Sequence, residues 1–460
     1  MCAGCYDAAL RRRGACAGCG HDRRLVSPPG PGATRCCSCA GLAVMHACSS
    51  CGREDKLFER GRCARCALAR RAAALMAGPD GGVSTALVGV HDAIVASASP
   101  YKAINWLRTG AGAPILGDLA AGTLTLSHEA LDAHPRPRAA GYVRQMLVAH
   151  GALPERDEAL AGLERWVDAA VGGIDRAEDR KAVRAFATWC TLRGIRRRAS
   201  RSAPNRRTAT AYARNQVSAA IALLDWLADR NLTLAGCRQA EVDRWCATGP
   251  ASRRDARHFL AWTAGRGLTP KLVVPVVAER DGDALGAEER WLIARRLLHE
   301  PGLDLVDRVA GSFVLLYAQT LSRVAVMTKD QMSATDGVVT VRFARNDVEI
   351  AHPLGGLIST LAATGRRDHV GIAAPITTPW LFPGHLPGRP ITAARLGVRL
   401  GVLGIDARAA RRAALIQLAA ELPAPVLADS LGIAATTATD WVKAAGGDWA
   451  GYAGTIAESG

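Results

Sequence analysis

The chain has 460 residues, and its 58 Lys and Arg against 42 Asp and Glu give a formal net charge of +16 at pH 7. The hydrophobic fraction of 49% and the charged fraction of 22% are ordinary for a soluble globular protein, and the length allows two or three domains. No apolar run is long enough to span a membrane and the N-terminus lacks a secretory pattern, so we expect a cytoplasmic protein. The positive charge favours a polyanionic partner, most commonly nucleic acid, and would place the protein at the nucleoid.

Cysteines dominate the first 70 residues. Eleven of the 14 cysteines lie there, mostly as C-x-x-C pairs, and Ala15-Cys-Ala-Gly-Cys-Gly recurs as Ala47-Cys-Ser-Ser-Cys-Gly. Two thiolates two residues apart, facing a second such pair, make the tetrahedral sulfur cage that zinc prefers. We therefore predict that residues 1–70 are tandem zinc ribbons with two structural Zn²⁺ ions. The predicted ligands are Cys16, Cys19, Cys36 and Cys39 for the first ion, and Cys48, Cys51, Cys63 and Cys66 for the second.

Two alternatives to structural zinc are disfavoured. Disulfides need an oxidising compartment, for which the sequence gives no sign, and a closed four-thiolate site leaves no position for a catalytic water. The pair Cys2/Cys5 looks like the second half of a repeat whose first half is missing, so we hypothesise a start codon upstream of Met1. The ribbons could dock a protein partner, mediate self-association or bind RNA.

Two helical regions are expected next. Residues 71–154 should be a helical linker region, because apolar segments alternate there with Gly/Pro joints. Residues 155–269 should form an all-helical block, in which Val217, Ile221 and Leu224 fall at i, i+4 and i+7 on one helix.

A dense basic segment lies inside this block, between residues 193 and 214, and we predict that it is a loop. It contains no acidic residue, so it can follow a DNA phosphate backbone and fix position rather than read sequence. The alternative is a solvated linker. The residues predicted to contact DNA here are Arg196, Arg197, Arg198, Arg206 and Arg207.

The C-terminal part is expected to be helical around one hairpin. After a hinge at residues 270–285, helices should occupy residues 288–298 and 305–319. A hairpin follows, with strands at residues 338–343 and 347–350 on either side of Arg345.

The tail has the outline of a helix-turn-helix. Helices are expected at residues 411–421, 426–431 and 434–444. Gly432 supplies the turn, and the last helix leaves Thr436, Thr437 and Lys443 outward, where a groove-reading helix presents such residues. The alternative is a plain helical hairpin with a glycine link.

The order of these parts, over roughly residues 155–452, resembles the tyrosine recombinase (phage integrase) family. The resemblance is carried by the helical block, the segment LLYAQTLSRVAVMTKDQM, the hairpin, Leu381-Phe-Pro-Gly and the basic tail helix with Leu431-Gly432. It implies a mainly α fold. Residues 155–269 would be a helical core-binding domain and residues 285–460 a recombinase-like domain, together gripping duplex DNA.

The resemblance also implies a site for DNA recombination and integration. In this family two Arg clamp the scissile phosphate, a Tyr attacks it, and a Lys and a His assist proton transfer. By position, Arg323 matches the first Arg, and Arg411 or Arg412 the second; a salt-bridged helical arginine is the alternative for Arg323. Arg345 stands in for the hairpin Lys, and Tyr452 is the first Tyr after the nucleophile position.

Several positions depart from the family pattern. Trp441 stands at the nucleophile position, Ile433 replaces the His of Leu-Gly-His, and Arg408 or Ala409 replaces the other His. An indole cannot attack phosphorus, and the hairpin arginine is too basic to act as a general acid. We therefore favour a DNA-binding relative without full strand-cleavage chemistry. Two alternatives stay open: an active site-specific recombinase or integrase with a displaced tyrosine nucleophile, and a helix-turn-helix transcriptional regulator whose zinc ribbons dock a partner.

Overall fold

The computed structural model describes most of the chain, namely residues 12–26, 35–42, 46–199, 206–275, 285–364, 372–373 and 378–446, without the side chains of residues 198–199 and 206–208. The described residues are mainly helical, with a few small antiparallel sheets and two four-cysteine clusters, so the predicted fold class is confirmed. Cys2, Cys5 and Tyr452 lie outside the described residues. No described helix is long and apolar enough to cross a membrane.

The described residues divide into two compact units. The first runs to Glu155 and also contains residues 372–373, 378 and 383–389. The second contains the described residues from Arg156 onward, apart from those short segments.

Two small sheets form the cysteine-rich part of the first unit. β1 (Arg13–Ala15), β2 (Asp22–Val26) and β3 (Arg35–Cys36) make an antiparallel sheet in that order, and β4 (Leu57–Glu59) pairs with β5 (Arg62–Cys63). Among the described residues from 12 to 63, the buried side chains are five cysteines and one glutamate. So little apolar surface is buried here that it cannot stabilise such short strands alone. We infer that the cysteine clusters stabilise them.

The rest of the first unit is helical. Its helices are α1 (Ala64–Leu75), α2 (Val88–Val95), α3 (Pro100–Thr109), α4 (Ala113–Ala120), α5 (His128–Asp132) and α6 (Pro137–Ala149). Leu68, Met76, Ile94 and Leu116 are fully buried in one core, which Ile372 joins from far along the chain. This region, expected to be a linker, therefore has a hydrophobic core of its own.

The second unit begins with the predicted all-helical block. Its elements are α7 (Glu158–Gly172), α8 (Ala177–Phe186), a π-helical segment (Ala187–Leu192), α9 (Arg193–Ala199), α10 (Arg206–Ala228), α11 (Gln239–Ala247), a 3₁₀ segment (Ala251–Ala256) and α12 (Arg257–Gly265). Val217 and Leu224 are buried and Ile221 packs against them, as the spacing predicts.

The prediction that the basic segment is a loop is wrong for residues 193–199, which form α9, and for residues 206–214, which begin α10. Leu192 and Ile195 are both buried, so a helical apolar spacing continues into the basic run. Arginine is also a good helix former, so the high charge does not end the helix.

The next part of the second unit surrounds the predicted hairpin. Its elements are α13 (Ala287–His299), α14 (Leu305–Tyr317), α15 (Leu321–Val324), β6 (Met332–Thr335), β7 (Val338–Arg342), β8 (Asp347–Ile350), α16 (Leu354–Thr364) and α17 (Ala393–Val402). β7 and β8 pair antiparallel as expected, and β6 adds a third strand. α14 ends earlier than predicted because Ala318 adopts a left-handed conformation, with φ of 50°.

Three helices form the tail: α18 (Ala407–Glu421), α19 (Ala424–Leu431) and α20 (Ala435–Ala444). α18 begins four residues earlier than predicted, because the Asp406 side chain accepts hydrogen bonds from the N–H groups of Arg408 and Ala409. Leu427 and Ala438 are buried in the core that these helices share.

Candidate metal centres and arginine site

The structure brings the eight predicted metal ligands into two clusters. Cys16, Cys19, Cys36 and Cys39 form one, and Cys48, Cys51, Cys63 and Cys66 form the other, with the ligand atoms of each cluster within 4.8 Å of one another. The Sγ atoms of Cys19 and Cys36 are 3.9 Å apart, and those of Cys51 and Cys63 are 4.0 Å apart. A tetrahedral zinc with Zn–S bonds of about 2.3 Å sets its sulfurs about 3.8 Å apart. Each cluster can therefore hold a metal ion.

Backbone N–H groups point at the sulfurs in the same way in both clusters. The N–H of Cys36 lies 3.2 Å from the Cys16 sulfur, and the N–H of Cys63 lies 3.3 Å from the Cys48 sulfur. The Cys36 N–H is the main cause that lowers the pKa of Cys16 to about 6. Burial raises the pKa of Cys48, but backbone donors led by Cys63 outweigh it and bring this pKa also to about 6. The shared geometry confirms that the sequence repeat is a structural repeat.

The first cluster requires a glycine at one position. A Cβ on Gly18 would lie 2.9 Å from the Cys39 Cβ and 3.0 Å from the Cys39 sulfur. A side chain there would force Cys39 to shift and would disturb the spacing of the four sulfurs.

Cys37 stands between the predicted ligands Cys36 and Cys39 of the first repeat and is not itself a predicted ligand. It is buried, and its pKa is raised by burial and by the charge of Glu54 in the second repeat. The Arg13 guanidinium donates to the Glu54 carbonyl over 2.9 Å, so the two repeats are in direct contact.

The second cluster is continuous with the helical core of the first unit. Cys63 is the N-cap residue of α1, and Cys66 lies in its first turn. Ala67 and Leu68 follow directly and are fully buried in the first-unit core. Cysteine ligation and helix packing therefore act on the same turn of α1.

Arg323 joins α15 to the tail. Its guanidinium donates to the carbonyl oxygens of Leu431 and Gly432, the latter over 2.6 Å, and burial lowers its pKa. A Cβ on Gly432 would lie 2.7 Å from the Arg323 Nη2 and 2.9 Å from the Cβ of Ala344 in the β7–β8 loop. The hairpin loop, α15 and the turn before α20 therefore meet at Gly432.

Arg411 on α18 lies close to Arg323. Its Nε donates to the Ala318 carbonyl oxygen over 2.8 Å, and its pKa is lowered by burial and then by the positive charge of Arg323. Within the described part of the chain, neither arginine forms an ion pair with a carboxylate. The salt-bridged alternative for Arg323 is thus not observed, and the two predicted clamp arginines are neighbours.

The other predicted residues around this pair have different surroundings. Arg345 is exposed, and its guanidinium lies 3.8 Å from the Asp429 carboxylate. The Arg412 guanidinium lies 5.7 Å from the centre of the Trp441 ring. Trp441 and Ile433 pack against the apolar core of the tail, which explains why both are apolar.

The remaining predicted DNA-contacting residues lie on exposed helices. Thr436, Thr437 and Lys443 are exposed on α20, and Arg197 is exposed on α9. Arg196 forms an ion pair of 2.5 Å with Glu164. The side chains of Arg198, Arg206 and Arg207 are outside the described part of the structure, as is Tyr452.

One polar cluster in the helical block has no signal in the sequence. The Tyr212 hydroxyl lies 2.6 Å from the His258 Nε2 and accepts a hydrogen bond of 2.9 Å from Arg257. Tyr212 is exposed, at 40%. These residues are 45 and 46 positions apart, so no local motif could reveal their contact.

Several solved structures are distantly similar to this chain. XerH site-specific recombinase bound to palindromic difH substrate, in a post-cleavage complex, matches with a TM-score of 0.41 and 10% identity, over 63% of this chain and 94% of that chain. XerH in a pre-cleavage complex with difH matches with a TM-score of 0.40 and 9% identity, over 62% and 92%. XerA recombinase matches with a TM-score of 0.26 and 12% identity, over 57% and 93%. No model of a protein family matches the chain, and no curated protein does.

Proposed function

We propose that this chain is a DNA-binding protein related to tyrosine recombinases, which grips duplex DNA without full strand-cleavage chemistry. The observation that carries the proposal is the neighbouring pair Arg323 and Arg411, half-buried and bonded to carbonyl oxygens rather than to carboxylates. Two cations held together away from water are costly unless an anion completes the site. A DNA phosphate fits, because guanidinium groups bind phosphate oxygens in bidentate pairs.

The residues at the family's reactive positions support binding over cleavage. Trp441 and Ile433 contribute to the tail core instead of offering a nucleophile or an imidazole. Arg345 replaces the family's hairpin lysine, and a guanidinium is a poor general acid. A phosphate held by the arginine pair would therefore meet no efficient proton donor among these residues.

Two exposed surfaces of the second unit would add DNA contacts. The arginines of α9 suit the phosphate backbone, which fixes position without reading sequence. Thr436, Thr437 and Lys443 on α20 are exposed and suit the edges of bases in a groove. A protein that reads base edges with this helix would be a helix-turn-helix regulator, and we retain that function as a specific variant of the proposal.

We also propose that both cysteine clusters bind structural zinc. The clusters have four sulfurs each at tetrahedral spacing, and soft thiolate ligands favour zinc over harder cations. Four thiolates close the coordination shell, so such a site holds the ribbons together and leaves no position for a substrate. The ribbons and the helices that follow them would then present a folded surface to a protein partner or a second copy.

The test compares two arginines on α18. Arg411→Gln should weaken duplex binding about tenfold or more, because a charge-assisted hydrogen bond contributes about 1.5–3 kcal/mol. Arg408→Gln is the matched control: it removes the same charge from an exposed position one turn earlier. Fluorescence anisotropy at several salt concentrations measures both, with thermal unfolding to check folding.

Equal effects of the two substitutions would mean that charge alone, not the arginine pair, binds DNA. Duplex binding that is absent, or that does not weaken with salt, would contradict the proposal altogether. Loss of sequence preference in Thr436→Ala with no effect of Arg411→Gln would favour the helix-turn-helix regulator.

A further inference from the structure

Two aromatic rings of the first unit are exposed and in contact. Phe58 on β4 is 40% exposed, and Tyr101 on α3 is 46% exposed. Their ring centroids are 5.7 Å apart, with an angle of 72° between the planes. They form an aromatic pair on the surface rather than in the core.

Basic side chains flank this pair because of the alternation in β4. Leu57 and Glu59 are half-buried while Phe58 is exposed, so residues at even positions face outward. Lys56 and Arg60, on either side of Phe58, are both exposed. We call the set Lys56, Phe58, Arg60, Arg71 and Tyr101 the aromatic patch.

Arg71 belongs to the patch through the face of Phe58. Its guanidinium carbon lies 5.8 Å from the centre of that ring. A guanidinium over an aromatic face fixes both groups and adds positive charge to the surface.

Arg60 has an unusual backbone conformation. It turns β4 into β5 with φ of 45°, a left-handed value that glycine, asparagine and aspartate adopt more readily. An arginine at such a turn is a reason to look for a role of its side chain.

The acidic neighbours of the patch are already engaged. The Glu59 carboxylate accepts hydrogen bonds from Arg71 and Arg70, which hold its pKa at about 2. Asp55 accepts a hydrogen bond of 2.7 Å from the backbone N–H of Lys56. The patch therefore combines two exposed rings with basic side chains, and the neighbouring Glu59 carboxylate is shared by Arg70 and by Arg71 of the patch itself.

We propose that the aromatic patch binds single-stranded DNA. Unpaired bases stack on Phe58 and Tyr101, and Lys56 and Arg60 contact the phosphates between them. Rings among basic side chains suit this ligand because every base has an aromatic face, whereas paired bases in a duplex cannot reach a protein ring. The apolar area is two rings inside a basic rim, which fits a nucleic acid better than an apolar protein surface. The choice of DNA over RNA rests on the proposed function. The stacking of bases rests only on the two exposed rings and holds for either nucleic acid.

The experiment uses the full-length, zinc-loaded protein and three labelled probes: an oligothymidylate of about 20 nucleotides, an oligouridylate of the same length, and a duplex of the same length. Phe58→Leu and Tyr101→Leu should each weaken oligothymidylate binding about 5- to 150-fold, which is the range for loss of one stacked base. Tyr101→Phe should restore binding, because it keeps the ring. Duplex binding, which we assign to the second unit, should stay within about twofold.

Trp291→Leu is the control for a general loss of exposed aromatic surface, since Trp291 is 51% exposed on α13 of the second unit. Crosslinking of iododeoxyuridine-substituted oligonucleotide to the unmodified protein gives a second measurement that does not depend on the folding of a variant. Crosslinks at Phe58 or Tyr101 would support the proposal. Crosslinks only elsewhere, unchanged binding by the leucine variants, or an equal loss in Trp291→Leu would overturn it.

Two outcomes separate this proposal from the proposed function. Unchanged duplex binding in Arg411→Gln, together with oligothymidylate binding lost in Phe58→Leu, would overturn only the proposed function. Weakened duplex binding in Arg411→Gln, together with oligothymidylate binding unchanged in Phe58→Leu and Tyr101→Leu, would overturn only the aromatic patch. Oligouridylate bound tenfold tighter than oligothymidylate would overturn the choice of DNA.

Discussion

Arg323 illustrates how one side chain can serve both fold and ligand. Its guanidinium donates to the carbonyls of Leu431 and Gly432 at the C-terminal end of α19. Unpaired carbonyls at a helix end carry partial negative charge, so a cation there stabilises the turn. Removing Arg323 would leave two tail carbonyls without this partner, whereas removing Arg411 affects one carbonyl, that of Ala318, so Arg411 is the better position at which to test DNA binding.

Gly432→Ala should destabilise the protein more than Gly404→Ala. Both glycines have positive φ, 65° and 80°, so alanine is strained at either position. Only at Gly432 would the new Cβ also collide, at 2.7 Å from Arg323 Nη2, because nothing lies within 4 Å at Gly404. The collision should add about 1–3 kcal/mol of destabilisation.

Chemical denaturation monitored by tryptophan fluorescence gives this comparison. Equal unfolding midpoints for the two variants would show that Arg323 and Ala344 move aside without cost, and that the contact around Gly432 is loose.

The arginines of this site could be predicted from the sequence, but their hydrogen-bond partners could not. Motif position predicted Arg323, and Arg411 or Arg412, as clamp arginines, and the structure brings Arg323 and Arg411 together. Their carbonyl partners could not be read from the sequence, because Leu431 and Gly432 lie 108 and 109 residues from Arg323. A local pattern carries no signal of a contact formed only when the tail packs against α15.

Among the secondary-structure elements, the spacing of apolar residues predicted the helices that have a long apolar face. α10 and α14 were predicted because buried residues recur at helical spacing. β6 was missed, because Met332–Thr335 is short and mostly exposed and so has no apolar alternation. α9 was misread because charge density outweighed the two buried residues that continue the helix.

Loss of a ligand should have different effects in the two cysteine clusters. Cys66→Ser acts in the first turn of α1, next to Ala67 and Leu68 in the first-unit core. Cys39 lies in a 3₁₀ turn, Ser38–Ala40, with no buried neighbour in that turn. Both variants should lose one metal ion, but Cys66→Ser should also lower the melting temperature and the helical circular dichroism more strongly.

Metal content measured by mass spectrometry, together with circular dichroism melting curves, tests this difference. Equal melting temperatures would contradict the continuity between the second cluster and the helical core. Lower pH should release metal from both clusters, since binding requires deprotonated thiols and protons compete for them.

For the whole molecule, charge is distributed unevenly along the chain. Residues 12–71 contain 12 Lys and Arg and 4 Asp and Glu, a difference of +8 out of the total of +16. Two zinc ions, each with four thiolates, would carry a charge of about −2 each and offset only half of this excess. The remainder favours nucleic-acid contacts on the first unit as well as on the second.

Apolar periodicity and the family resemblance predicted the mainly helical class, and cysteine spacing predicted the two clusters, because these depend on local pattern. Composition could not predict that residues 372–373 join the core of the first unit. Ile372 reaches that core from more than two hundred positions along the chain, and only tertiary packing selects it.

The most direct test of the central claim is a covalent-adduct assay. The protein is incubated with genomic DNA fragments from its source, denatured in detergent and probed for DNA that stays attached, with Tyr452→Phe and Arg323→Ala in parallel. We predict salt-sensitive duplex binding and no adduct in any sample. An adduct formed by the unmodified protein and lost in Tyr452→Phe would establish strand cleavage by a displaced nucleophile, and would contradict this prediction.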